Sequence, residues 1–103
     1  MNLPPQVVEA MLDDLRLDLE AMCRLAGVSE PWLRERWAQG LLAARPPEPL
    51  ETVCFSAAEL RRARRLAGLE RNFDAVPELA AMVADLEDEV AALRARLSRL
   101  GFD

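Results

Sequence analysis

At 103 residues, 51% of them apolar, the chain has the size of one domain and can bury a modest core without metals or disulfides. Its net charge of −5 sets 18 acids against 13 basic residues, all of them arginine; with no histidine, lysine or tyrosine, the usual acid–base groups shrink to carboxylates and two thiols. No paired-carboxylate motif, glycine-rich phosphate loop or nucleophile elbow is present, so neither an enzyme nor a cofactor is expected, and no apolar run reaches the roughly twenty residues of a membrane span.

"MNLPPQVVEAMLDDL" has neither a basic n-region nor an apolar h-region; no signal peptide is expected, and the default location is cytoplasmic. Residues 1–14 read as an N-terminal extension, a short helix with prolines in its first turn and Val7, Val8, Met11 and Leu12 on one face. In "LRLDL", Leu15, Leu17 and Leu19 alternate with charge, which suits a short strand before Asp18 caps a helix over about 19–26 that stops at Gly27. Ser29 caps a second helix from Glu30, with Pro31 tolerated in its first turn, ending at Gly40. Leu33 and Trp37, four apart, are expected to face the core; Trp32, Arg34, Glu35 and Arg36 have less reason to be buried.

"ARPPEPLETVCF" is too proline-rich for a helix, and "ETVCF" supplies the β-formers of one strand, the expected wing. Cys23 and Cys54 belong to no ligand motif and are expected as buried free thiols. "SAAE" at Ser56–Glu59 is a capping box opening a helix from Ala57 to about Ala67, with Gly68 interrupting it and "LERNFD" as a connection. That helix carries "RRARR"; Arg61, Arg62, Arg64 and Arg65 read as a solvated face unless a ligand claims them.

The strongest periodic signal follows. Val76, Leu79, Val83, Leu86, Val90, Leu93, Leu97 and Leu100 fall at alternating intervals of three and four, four heptads of a and d positions, and predict a coiled-coil dimer interface. Acids gather in the first half (Glu78, Asp85, Glu87, Asp88, Glu89) and arginines in the second (Arg94, Arg96, Arg99), which favours an antiparallel pair, although a Glu89–Arg94 contact is open to a parallel one. The seam could instead pack on its own head. A helix of about 27 residues is about 40 Å long, however, more than a small head covers, so a homodimer is expected.

The order of elements resembles the MerR-type winged-helix regulators over residues 17–100, and "GVSEPWLRERWAQGLL" is similar to their Gly-Val-Ser turn, recognition helix with a Leu-Arg pair, and Gly-Leu-Leu exit. The resemblance implies a mainly α chain: a winged helix-turn-helix head with a short β wing over 15–70 and a long dimerisation helix over 71–103. It departs where those regulators read DNA. Glu35 and Arg36 stand in place of aromatic residues, Thr52, Val53 and Cys54 in place of a Gly-Tyr-Arg segment, and Arg34 alone keeps a DNA-contacting identity. Glu30, Glu35, Glu48 and Glu51 would repel phosphate, so DNA is not the expected partner, and a DNA-binding transcriptional regulator stands as the alternative.

A second resemblance, covering about four fifths of the chain, is to the CbpM chaperone modulators, small MerR-like proteins. It is carried by "LEAMCRLAGVS", by "GLL" before an acidic, proline-containing wing, by a hydrophobic-x-Phe strand, and by "RRARRLAGLERNFDAVPELAAMVADLEDEVAALRARL" with its arginine-rich helix and Leu-Arg-x-Arg-Leu end; Val53 stands where the family often has Trp. This resemblance implies binding to the J-domain of a CbpA/DnaJ-like co-chaperone and inhibition of its stimulation of DnaK. Residues 1–60 carry ten acids against five arginines, a head whose potential complements a basic J-domain helix. The candidate partner-binding residues are Trp32, Glu30, Glu35, Glu48 and Glu51; the alternative for Trp32 is packing on the wing or the N-terminal helix. A bare dimerisation module is the third reading.

Overall fold

The computed structural model describes residues 15–43 and 48–101, so the expected N-terminal helix lies outside the described residues. Among the described residues the chain is mainly α. Helices α1 (Leu19–Ala26), α2 (Glu30–Ala38), α3 (Ala57–Phe73) and α4 (Pro77–Arg99) follow in order, with a 3-10 turn at Leu50–Thr52 between α2 and α3. None of these helices is long and apolar enough to cross a membrane.

The boundaries of α1 and α2 follow from their caps. Asp18 accepts the Ala21 N–H at 2.8 Å, and Ser29 accepts the Trp32 N–H at 3.2 Å; each satisfies an amide that the first helical turn leaves unpaired. Gly27, at φ +71°, ends α1 in the left-handed region with its N–H on the Cys23 carbonyl at 3.0 Å. A side chain there would be strained, and the sharp exit lets α2 begin three residues later.

The two expected strands shrink to one antiparallel bridge. Leu17 and Phe55 exchange both main-chain hydrogen bonds, at 2.9 and 2.8 Å, with no named strand on either side among the described residues. Pro49 brings the chain into a 3-10 turn, its carbonyl accepting both the Thr52 N–H at 2.9 Å and the Thr52 hydroxyl at 2.7 Å. The prolines of this segment have no N–H to extend a ladder. Strand-like alternation survives on either side of the bridge. Val53 and Phe55 are buried and Cys54 between them is exposed, which corrects the expectation of two buried thiols; Cys23 is half-buried.

The capping box forms as expected, Glu59 N–H to Ser56 Oγ at 3.2 Å and Ser56 N–H to Glu59 Oε1 at 2.9 Å. The expected break at Gly68 does not occur. α3 runs on to Phe73 and ends at Asp74, at φ +50°. A mid-helix glycine costs about 1 kcal/mol. Burial of Leu66, Ala67 and Leu69 around Gly68 offsets that cost, and Glu70 just beyond it is tied to α2. Phe55, Met22, Leu33, Leu42 and Leu66 are the largest fully buried side chains, and the Trp37 ring meets Phe55 edge-on at 5.5 Å.

α4 splits its residues by size. Ala80, Ala81 and Ala84 are buried against the core, their small side chains allowing α4 to approach the head closely. From Asp85 to Gly101 every residue is exposed. At about 1.5 Å per residue the 23-residue helix is about 35 Å long, and its second half projects beyond the head.

Candidate interaction surfaces

α2 carries two arginines two residues apart with opposite surroundings. Arg34 lies outside, its Nη2 bonded to Glu30 at 2.7 Å and to Glu51 at 2.8 Å. These contacts hold its guanidinium charged, hydrogen bonding to Glu30 contributing most, and Arg34 holds the Glu51 carboxyl below the usual carboxylate range. Arg36, expected outside, is 7% exposed. It donates from Nε and Nη2 to Glu70 of α3 at 3.1 and 2.6 Å and lies 4.9 Å from the centre of the Trp32 ring, whose Nε1 also donates to Glu70 at 3.0 Å. The correction has a tertiary cause, because the carboxylate that makes burial of Arg36 tolerable arrives from 34 residues away. Burial pushes the Glu70 carboxyl up, yet the bonds from Arg36 and Trp32 outweigh it and leave it below its ordinary value.

The five candidate contact residues are therefore not one patch. At about 100° per residue Trp32 lies roughly 160° around α2 from Arg34, so the Trp32–Arg36–Glu70 cluster and the Glu30–Arg34–Glu51 clasp flank opposite sides of the helix. Trp32 is half-buried, with its indole N–H on Glu70 of α3. Glu35 stands on the ridge between the two flanks, its side chain 62% exposed and 3.4 Å from the Arg36 guanidinium. Glu48 is exposed beyond the end of α2, where its carbonyl accepts the Trp37 indole N–H at 3.2 Å. The outer face of α2 thus presents four carboxylates around one exposed arginine. On the adjoining edge, burial and the nearby Glu30 charge raise the Cys23 thiol, which keeps it protonated.

The second surface is apolar. Of the eight seam residues, Val83 is half-buried against the core, and Val76, Leu79, Leu86, Val90, Leu93, Leu97 and Leu100 are 44–68% exposed. Met82, at 58%, and Phe73, at 71%, are further exposed apolar side chains. Alanine burial on the head therefore leaves the leucine and valine row outward. Two clasps fix the base of the helix. Arg62 bonds Asp85 at 2.8 Å and the Leu41 carbonyl at 2.6 Å, and Arg65 donates to both carboxylate oxygens of Glu87, its Nε at 2.7 Å. Half of the arginine cluster is thereby accounted for as structure.

Sequence reasoning missed Glu70, Asp85 and Glu87 as partners, since nothing in local spacing points across 20 to 40 residues. The Glu30–Arg34 pair was open to it as an i, i+4 contact. No protein-family model, curated protein or solved structure matches this chain.

Proposed function

We propose that the chain is a chaperone modulator of the CbpM type: a winged helix-turn-helix head that has lost DNA reading and docks the J-domain of a CbpA/DnaJ-like co-chaperone, blocking its stimulation of DnaK. In this reading α1 and α2 are the helix-turn-helix, the segment through the Leu17–Phe55 bridge is a reduced wing, and α4 is a dimerising coiled coil. The observation that carries it is the clasp on Arg34. The one side chain of α2 with a DNA-contacting identity is bonded to two carboxylates, so the helix that would enter a groove turns an acidic face outward. Such a face repels phosphate and complements the basic helix with which J-domains engage DnaK.

Calorimetric titration with the J-domain of a CbpA-like protein from the same organism, at physiological salt, tests this directly. Saturable micromolar binding is expected, and Glu35→Arg on the open ridge of α2 is expected to weaken it at least tenfold. No binding would overturn the proposal, and steeply salt-dependent binding to random duplex DNA would put the regulator reading in its place. In this reading the exposed row of α4 pairs with a second copy as an antiparallel homodimer, for which sedimentation at micromolar concentration should give twice the monomer mass.

A further inference from the structure

We infer that the two copies of α4 meet in a single register selected by charge, with Val83, Leu86 and Val90 of one protomer opposite the partner's Leu100, Leu97 and Leu93. The inference rests on the antiparallel dimer proposed above and specifies it. A seam spaced alternately by three and four matches its own reverse whenever a positions face d positions. Registers one heptad apart, a slide of about 10 Å, are therefore equally allowed by apolar pattern. They differ in how many apolar layers they close, eight toward the heads, six in the stated register and four in the outward one, and in the row of charges beside the seam.

In the stated register Glu87 lies beside the partner's Arg94 and Glu89 beside the partner's Arg96, and the two-fold axis repeats both, giving four attractive contacts. Sliding one heptad toward the heads sets Glu87 against the partner's Glu87 and Glu89 against the partner's Glu89. Sliding one heptad the other way sets Arg94 on the partner's Arg94 and Arg96 on the partner's Arg96, with fewer apolar layers. Only the middle register avoids like charges on both flanks.

The structure favours the same register independently. The slide toward the heads would cover Val76 and Leu79, but it would bring the partner's Arg94 to Ala80, which is 0% exposed beneath the head and has no carboxylate to offer. In the middle register the partner's helix, which ends at Arg99, stops opposite Val83, where α4 sinks against the core. Glu87, already held by Arg65, then also meets the partner's Arg94, so each head is tied to the seam through one carboxylate. A parallel pair offers only the Glu89–Arg94 contacts and sets two acidic heads side by side.

Disulfide mapping in a Cys23→Ala, Cys54→Ser background tests the register. A mixture of the Leu86→Cys and Leu97→Cys proteins should cross-link between the two and neither with itself. Cross-linking of Leu79→Cys to Leu97→Cys would overturn the register while leaving the dimer, and self-linking of Leu86→Cys would overturn the direction. A dimer that cross-links in none of these pairs also overturns the register. A parent protein that sediments as a monomer would instead remove the dimer itself and leave the face to another protein. Because seam cysteines weaken packing, a charge swap gives a second reading. Glu89→Arg should weaken self-association at least tenfold, with Arg96→Glu restoring it and Arg94→Glu failing to; rescue by Arg94→Glu alone would overturn the register.

Discussion

The two halves of α4 use similar numbers of apolar residues to opposite ends. From Pro77 to Ala84 the alanines go inward and the helix becomes part of the head; beyond Asp85 the leucines and valines stay outward and no described residue of the chain covers them. Small side chains let two helices approach closely where the head is within reach, and beyond its reach Ala91, Ala92 and Ala95 are as exposed as the leucines and valines. Apolar content alone therefore does not say which half of a helix is core. The reach of the head decides that, and within its reach side-chain size decides which face turns inward.

Changes in the outer half should act on association and leave the head intact. Leu86→Asp, which sets a charge into the proposed seam, is expected to abolish self-association in sedimentation while the far-ultraviolet circular dichroism of the head persists. A variant that unfolded instead would show the outer half to be core after all. Changes in the head should act on stability. Glu70→Ala removes the two short hydrogen bonds of the nearly buried Arg36, leaving it the exposed Glu35 at 3.4 Å, and should cost about 3 kcal/mol, lowering Tm by more than about 10 °C. Replacing both partners, Arg36→Met with Glu70→Leu, should recover much of that loss, because the penalty lies in the orphaned charge.

Ala80→Leu overpacks the contact between α4 and the head and should cost about 2 kcal/mol, whereas Ala91→Leu in the projecting half should cost nothing measurable in a thermal melt. The smallest effect is a dependence on pH. The folded Glu70 carboxyl lies below its unfolded value, so its stabilisation is complete above the unfolded value and is lost as pH falls through the folded one. The Tm of the parent should therefore fall toward that of Glu70→Gln below about pH 4, with the gap between the two constant near neutrality. A gap that held unchanged to pH 2 would show that the bonds to Glu70 do not depend on its charge.

Local chemistry wrote much of this fold into the sequence. Asp18, Ser29 and the Ser56–Glu59 box start their helices where their side chains predict, and Gly27 stops α1, because capping is settled within one turn of the chain. The long α4 helix and its apolar row were equally plain, since a period of three and four needs no knowledge of the rest of the molecule. The extent of α3, the burial of Arg36 and the outward side of Cys54 were decided only in three dimensions. Gly68 stays helical because a buried face on either side outweighs its propensity, and Arg36 is inside because Glu70 and Trp32 meet it there. Propensity and capping act over a few residues, whereas burying a charge or a glycine depends on a partner that the chain brings back from far along its length.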